Sequence, residues 1–149
     1  MPKASVKRLI ECQKEQLISL VLDIEKYPDF IPYCLDSKVY ERKDKDNEVL
    51  IIADLTIGKG VFKDTYKSYV KYNKKDSSIY VTNLDGPLKY LKNKWYFFQT
   101  EKKTEISFAV DFELKNRFLN IIMTKSFQFG LDKIADAFEK RAEELFSKT

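Results

Sequence analysis

The chain has 149 residues and a formal net charge of +4, from 27 Lys and Arg against 23 Asp and Glu. It contains no histidine, which excludes the commonest general base, the commonest metal ligand and every nucleophile that depends on a histidine. Cys12 and Cys34 lack the paired spacing of a zinc site, so we expect neither a metal nor another cofactor. Two thiols in a lysine-rich chain indicate a reducing, cytoplasmic setting.

The length predicts one domain over residues 1–149 with a full apolar core. Its 11 Phe, 9 Tyr and one Trp are many for that size, and such a surplus suits either a core or the lining of a cavity. The mild positive charge is compatible with an anionic membrane surface or with RNA, and equally with a solvated lysine-rich surface. No apolar run approaches the roughly 20 residues that span a bilayer, so any membrane contact is expected to be peripheral.

The first segments predict a strand followed by a helix. Residues 3–11 alternate apolar and polar side chains, and the apolar side chains of residues 13–26 fall on one stripe at helical spacing. Pro28 is expected to end that helix, because its ring clashes with the preceding turn and it donates no backbone hydrogen bond. The segment 27–33 then turns while carrying apolar side chains, which is typical of a core cap or of one wall of a pocket.

A long β region follows. Its patterns predict six strands, at residues 36–43, 47–57, 61–72, 78–85, 95–100 and 105–115. Gly and Pro at 58–60 and 85–87 interrupt it, because both are poor inside strands. In the fourth strand of the chain the lysines mark the outer face, which places Asp64 and Ser68 on the inner face. Either these two polar groups reach water near a strand end, or they contact a ligand head group.

The last element is predicted to be one long helix over residues 117–147, with Gly130 in its middle. That glycine destabilises a helix by about 1 kcal/mol relative to Ala. It fits a kink, a close approach of another group or a residue without a structural role. The expected apolar face consists of Phe118, Ile121, Ile122, Phe129, Ile134, Phe138, Ala142 and Leu145. We therefore predict an α+β fold in which a curved antiparallel sheet wraps around one long C-terminal helix.

Three segments carry a resemblance to a known family: Asp23 to Cys34 (DIEKYPDFIPYC), Leu84 to Leu91 (LDGPLKYL) leading to Trp95, and Val110 to Asn116 (VDFELKN). In this order and spacing they resemble the coenzyme Q-binding family of the START-like, or helix-grip, superfamily. Bacterial members of that family are also known as polyketide cyclase-like proteins or ribosome-association toxins. The resemblance covers essentially the whole chain and departs at Leu88, where an aromatic residue is expected.

The resemblance implies an internal apolar cavity that holds ubiquinone (coenzyme Q) or a similar isoprenoid lipid, bound or delivered without chemical turnover in support of respiration. Such a tail gains roughly 25 cal/mol for each Å² of apolar surface removed from water, so an apolar tunnel suffices for affinity. The Tyr66 hydroxyl or the Trp95 indole can donate a hydrogen bond to a quinone carbonyl. For each lining candidate alone, ordinary core packing is the alternative. These candidates are Phe30, Ile31, Tyr33, Phe62, Tyr66, Val70, Trp95, Phe108, Val110, Phe112, Ile122, Phe129 and Ile134.

The mouth of that cavity is a candidate for peripheral contact with the inner membrane. Leu88, Lys89, Tyr90 and Lys92 combine apolar and cationic side chains, as interfacial lipid contacts do. A solvated charged loop is the alternative.

Two other functions stay open. Regulation of translation through the large ribosomal subunit is permitted by the positive charge, although the sequence holds no dense arginine patch and no known RNA-binding motif. A polyketide cyclase or aromatase would need an acid–base pair from Asp, Glu, Tyr or Lys, and no paired carboxylates stand at a convincing spacing. The sequence therefore favours a binding protein over an enzyme.

Overall fold

The computed structural model describes residues 3–59, 62–85, 88–115 and 117–146. The predicted order of elements and the α+β class are confirmed within them. In chain order the elements are β1 (Lys3–Ile10), α1 (Lys14–Leu22), a 3-10 helix (Ile24–Asp29), β2 (Cys34–Asp44), β3 (Glu48–Lys59), β4 (Phe62–Asn73), β5 (Ser78–Asp85), β6 (Leu88–Gln99), β7 (Thr104–Leu114) and α2 (Arg117–Phe146). Neither α-helix is long and apolar enough, over its described residues, to cross a bilayer.

The strands form one antiparallel sheet in the order β1-β7-β6-β5-β4-β3-β2. From β2 to β7 each strand pairs with the next along the chain, whereas β1 pairs with β7. Irregular register interrupts β2, the β4–β5 pair and the β6–β7 pair. Bulges of this kind bend a strand and increase its twist.

One face of the sheet is buried beneath the helices, and the other is exposed. The alternation of burial along each strand follows the two-residue period of side chains in a strand. The buried inner-face residues are Ala4, Val6, Ile10, Val49, Ile51, Ala53, Ser68, Val70, Ile79, Leu91, Trp95, Phe97, Ile106, Phe108, Val110 and Phe112. The lysines of β4 lie on the opposite face, as predicted.

A cluster of aromatic rings joins α2 to the sheet. Phe138 of α2 contacts Trp95 edge-on, with ring centroids 5.2 Å apart, and Trp95 stacks on Phe108 at 3.9 Å. On its other side, Phe138 meets Tyr27 and Phe30 of the segment after α1, at 5.7 and 5.3 Å. Each such pair adds roughly 0.5–1.5 kcal/mol beyond the burial of its area. The cluster therefore holds the C-terminal half of α2 against both the sheet and the 3-10 helix.

Polar contacts position the same helix over the edge strand β1. The Arg8 guanidinium Nη1 lies 2.6 Å from Asp136 Oδ1 and 3.4 Å from Glu139 Oε1. About two turns earlier in α2, Gln128 Nε2 donates to the Ser5 carbonyl at 3.1 Å. Because exposed ion pairs contribute only about 0–1 kcal/mol, we assign to these contacts the direction of α2 rather than most of its stability.

Pro28 does not end the first helix, contrary to the expectation. α1 ends at Leu22, and Pro28 lies inside the 3-10 helix. A proline φ near −65° falls in the range of a 3-10 helix. The apolar stripe continues through Ile24, which is buried in the next element. The helix predicted from this stripe therefore extended past the end of α1.

Three strands are longer than predicted, and one of them, β2, runs from Cys34 to Asp44 rather than over residues 36–43. β6 begins at Leu88 rather than at Trp95, and β3 continues through Gly58 and Lys59, where a turn was expected. Gly58 has a φ of 148° and pairs with Lys63. A positive φ of this kind costs glycine little, so the chain stays in the ladder there.

The apolar face of α2 also differs from the prediction. Leu145 is 50% exposed, whereas Leu131 and Ala135 are buried although the pattern did not single them out. Apart from its chain neighbours and the backbone of its own helix, no described atom lies within 4 Å of the position that a Cβ would take on Gly130, so no described group approaches it closely. The side chains of residues 118, 121, 122 and 129 lie outside the described ones.

Replacing Phe138 with Ala should lower the free energy of unfolding by about 3–5 kcal/mol, because truncating a buried aromatic leaves a cavity. Phe138 is 3% exposed and contacts three other rings. Urea unfolding followed by far-UV circular dichroism measures the change. Leu145→Ala is the matched control, since that side chain is half exposed and its truncation should cost less than about 0.5 kcal/mol. Equal losses in the two variants would contradict this assignment of the core.

Candidate functional site

Inner-face side chains of neighbouring strands align in rows that cross the sheet. The row through the aromatic cluster consists of Val49, Tyr72, Ile79, Trp95, Phe108 and Val6. The adjacent row, two residues away on each strand, consists of Ile51, Val70, Val81, Asn93, Val110 and Ala4. A single amide therefore stands in an otherwise aliphatic row.

Asn93 is a polar group that this apolar interior does not explain; within the described residues, Arg141 Nε is the other buried side-chain atom without a hydrogen bond. Asn93 pairs across the sheet with Val81 and Val110, and its neighbours on the same face of β6 are the buried Leu91 and Trp95. Its Oδ1 is buried and accepts no hydrogen bond from the described residues. An unpaired buried acceptor costs about 1–3 kcal/mol. Such a group in a native interior calls for an explanation, and a bound water or ligand is one.

Further polar side chains lie close to Asn93 on the inner face. Asn83 of β5 stands opposite Ser68 of β4, and its Oδ1 accepts a backbone N–H of β6 at 2.9 Å. Ser68 Oγ donates to the Ala53 carbonyl at 3.3 Å. Tyr66 follows on the same face of β4, and its hydroxyl forms no hydrogen bond within the described part of the chain. We call Tyr66, Ser68, Asn83 and Asn93 the polar step.

Side chains on the inner face become more exposed toward the end of β3 and the start of β4, where these two strands are connected. Along β3, the exposed fraction of the inner-face side chains rises from 0% at Ala53 to 42% at Ile57, with Leu55 half-buried between them. On the partner strand, Tyr66 is half-buried and Asp64 is exposed. A molecule that reaches the polar step would therefore enter from this end.

The polar step is electrically neutral. Burial raises the pKa of Tyr66 above its ordinary value, with Cys34 as a second cause, so that its phenol keeps its proton at neutral pH. Ser68, Asn83 and Asn93 do not titrate. Among the described residues, no three His, Cys, Asp or Glu side chains are grouped so that they could hold a metal ion. The arrangement can donate and accept hydrogen bonds, and it suits an uncharged ligand.

The structure places some of the predicted lining residues beside the polar step. Val70, Val110 and Phe112 are buried on the inner face, in the row of Asn93 or in the next one. Tyr66 belongs to the step itself. These residues could contact a ligand there.

Other predicted lining residues lie elsewhere. Trp95, Phe108 and Phe30 pack against other rings in the aromatic cluster, and Ile31 and Ile134 are half-buried against the core. Tyr33 is 54% exposed, with a φ of 65°, so it lies on the rim rather than inside. The side chains predicted at residues 62, 122 and 129 lie outside the described ones.

The predicted membrane-docking residues are partly engaged with β7. Lys89 Nζ lies 3.5 Å from a carboxylate oxygen of Glu113, and the Tyr90 hydroxyl donates to a second carboxylate at 3.0 Å. Lys92 is exposed, and the side chain of Leu88 lies outside the described ones. Membrane contact through these residues stays a prediction.

Asp64 and Ser68 have different surroundings. Asp64 is exposed, and its carboxylate accepts the backbone N–H of Thr65 at 2.9 Å, which fits the explanation by a strand end that reaches water. Ser68 is 1% exposed and belongs to the polar step.

Sequence reasoning missed Asn83 and Asn93. The candidates were chosen for apolar character, and β6 was expected to begin only at Trp95. A signal was available, since Leu91, Asn93 and Trp95 share one parity and therefore one face of a strand that continues backward from Trp95.

Cys12 and Cys34 should both react slowly with a disulfide reagent in the folded protein at pH 8. They are free thiols, 7% and 8% exposed, and burial raises the pKa of each to about 11. The thiolate is the reactive form, so slow release of the chromophore is expected, and fast release after denaturation. Rapid labelling of folded protein would contradict this burial.

The same thiols should make the fold less stable in alkali. An unfolded thiol has a pKa of about 8.5, so between that pH and pH 11 the unfolded chain loses these protons more readily than the folded one. The free energy of unfolding should therefore fall as the pH rises through this range. A Cys12→Ala/Cys34→Ala variant should show a shallower fall, and an unchanged slope would contradict the link.

The chain is similar in sequence to known proteins. Residues 10–139 match a family described as polyketide cyclase/dehydrase and lipid transport. A ribosome association toxin of Rickettsia prowazekii (strain Madrid E) is 28% identical over 141 residues, which cover 93% of this chain and 94% of the toxin. A mitochondrial coenzyme Q-binding protein of Dictyostelium discoideum is 33% identical over 138 residues, which cover 90% of this chain and 65% of that protein.

Solved structures confirm the helix-grip fold. A START superfamily protein of Mycobacterium smegmatis has a TM-score of 0.78 at 18% identity, covering 96% of this chain and 98% of the other. The Zhui aromatase/cyclase of a Streptomyces species has a TM-score of 0.80 at 12% identity, covering 95% and 93%. An 18 kDa protein of Caulobacter crescentus has a TM-score of 0.79 at 26% identity, covering 97% and 98%. The first two are too distant in sequence to bear on more than the fold.

Proposed function

Because the chain belongs to the polyketide cyclase/dehydrase and lipid-transport family, we propose that its interior binds a neutral apolar molecule with a polar head group. One observation carries the proposal: within the described residues, the buried Oδ1 of Asn93 has no hydrogen-bond partner in an aliphatic row. The decline of burial toward the β3–β4 end supplies a way in. A ligand that forms a hydrogen bond with the amide and removes apolar side chains from water would be stabilised by both effects.

The ligand that we propose is ubiquinone or a similar isoprenoid quinone. The Asn93 amide can accept a hydrogen bond from a quinol hydroxyl and, after a half turn about its Cβ–Cγ bond, can donate to a quinone carbonyl. The neutral phenol of Tyr66 is a second donor. The name of the Dictyostelium relative, a coenzyme Q-binding protein, supports this choice.

The proposed role is binding or delivery without chemical turnover. The polar step holds no group that titrates near neutral pH, so its described residues include no general base for a cyclase reaction. Delivery needs a transient contact with a bilayer, and we propose peripheral docking at the inner membrane through the rim that includes Lys89 and Tyr90.

The first test is organic extraction of protein expressed in a quinone-producing host, followed by mass spectrometry. Near-stoichiometric ubiquinone is expected in the extract. Folded protein whose extract contains no quinone or related lipid would overturn the proposal.

Asn93→Leu tests the role of the amide. It should weaken quinone binding about three- to tenfold, the value of one neutral hydrogen bond. The same change should leave the ligand-free protein equally stable or more stable, because it removes a buried acceptor that has no partner among the described residues. A purely structural role predicts the opposite change in stability. The matched control is Asn47→Leu in the exposed β2–β3 turn, which should change neither quantity.

A second candidate function is association with the ribosome. The Rickettsia relative, which aligns over nearly its whole length, is named for that association. Exposed lysines on the outer face of the sheet are compatible with it. Sucrose-gradient sedimentation with ribosomal subunits tests the candidate, and absence of the protein from the large-subunit fractions would remove it.

A further inference from the structure

The face of the sheet that points away from α2 carries lysines and exposed aromatic rings side by side. On β6 the outward residues are Lys92, Lys94, Tyr96 and Phe98. The two rings are 51% and 68% exposed. We use the name outer β6 face for these four residues, their neighbours on the adjacent strands and the next outward residues of β1. The neighbours are Ser78, Tyr80 and Thr82 on β5 and Glu105, Ser107, Ala109 and Asp111 on β7, and the β1 residues are Ser5 and Lys7, which pair with Ala109 and Ser107.

Three lysines of the outer β6 face are free to bind an anion. Lys7, Lys92 and Lys94 have no acidic partner within the described residues. Most of the lysines that do form ion pairs lie at turns or strand ends. Lys94 Nζ lies 5.5 Å from the ring centroid of Tyr80. This cation–π contact holds one ammonium group above the sheet surface without neutralising it.

Small side chains leave a groove between these lysines. The groove has a volume of about 470 Å³ and is lined by Lys3, Ala4, Ser5, Lys92, Lys94, Ala109, Val110, Asp111 and Gln128. The one carboxylate in this lining, that of Asp111, already accepts the hydroxyl of a tyrosine at 3.0 Å and lies 3.9 Å from a lysine. The groove is therefore cationic on balance, and Ser5 adds a hydroxyl to its lining.

The rings of the outer β6 face are accessible to a planar partner. Tyr96 stands between Ser107 of β7 and Ser78 of β5, two side chains too small to cover it. Phe98 lies about 7 Å further along the strand, from a rise of about 3.4 Å per residue. Beside it on β7 is Glu105, whose negative charge limits the cationic surface at that end.

We propose that the outer β6 face binds single-stranded RNA. Phosphates would lie in the groove beside Lys92 and Lys94, and bases would stack on Tyr96 and Phe98. An open antiparallel sheet with exposed rings and a cationic track is a general way to bind unpaired nucleotides. The hydroxyls of Ser5 and Ser107, which form no hydrogen bond within the described part of the chain, can pair with a ribose 2′-OH.

A membrane surface fits this face less well. Bilayer contact is favoured by apolar side chains gathered on one side and lysines around them. On the outer β6 face, lysines, rings and hydroxyls instead lie in adjacent positions of a broad sheet. The proposal goes beyond ligand binding, because this face is separated from the polar step by the sheet itself. It would also supply a contact for the second candidate function, but it does not depend on the ribosome.

Fluorescence anisotropy with a labelled single-stranded oligouridylate tests the proposal. Tyr96→Ala should weaken binding roughly 5- to 150-fold, the range for loss of one stacked base, without changing its salt dependence. Lys92→Gln/Lys94→Gln should weaken it and should reduce the slope of log affinity against log salt by about 1.4, from 0.7 per phosphate contact. The matched control for charge is Lys75→Gln/Lys140→Gln, on a hairpin turn and on α2, which should keep most of the affinity.

Two outcomes would overturn the proposal: equal losses in the two double variants, or no loss in Tyr96→Ala with its melting temperature unchanged. Binding of the same variants to vesicles of phosphatidylglycerol and phosphatidylcholine is measured in parallel. Binding to vesicles but not to RNA, lost in the same variants, would assign the face to a membrane instead. The two proposals fail separately, since Lys92→Gln/Lys94→Gln should retain quinone and Asn93→Leu should retain RNA binding.

Discussion

The contact between Phe138 and Trp95 is the constraint on which the rest of the molecule depends. It fixes the C-terminal helix at the middle of β6, with ring centroids 5.2 Å apart. Because side chains of a strand alternate with a period of two, a residue held inward determines the direction of every other residue on that strand. With Trp95 inside, Asn93 must also point inward, and Lys94 and Tyr96 must point outward. One packing contact therefore determines both candidate binding surfaces.

The two faces of the sheet offer different physical chemistry from adjacent residues. The interior is neutral, since burial keeps the phenol of Tyr66 protonated and its other polar groups do not titrate. Binding there would depend on apolar area and on one or two hydrogen bonds, and hardly on salt. On the exterior, Lys92 and Lys94 have no acidic partner among the described residues. Binding there would be screened by salt, so ionic strength separates the two activities.

The proposed ligand site lowers the stability of the ligand-free protein. A buried amide oxygen with no hydrogen-bond partner among the described residues is unfavourable in an aliphatic row, and the open end of the sheet leaves Ile57 and Leu55 partly in contact with water. The aromatic cluster, which includes the adjacent row of the same face, offsets this cost. Stability and binding thus depend on neighbouring rows of one sheet face, and compensation of this kind is common at functional sites.

The sequence by itself determined the elements, because alternation and helical periodicity are local properties of the chain. The strands β4, β5 and β7 and the helix α2 lie within about two residues of their predicted bounds. Only the tertiary structure decided what depends on distant contacts. The pairing of β1 with β7, the 3-10 helix around Pro28 and the exposure of Leu145 belong to this class. So does the absence of a described hydrogen-bond partner for Asn93 Oδ1, since whether a buried amide oxygen has a partner depends on its neighbours in other elements.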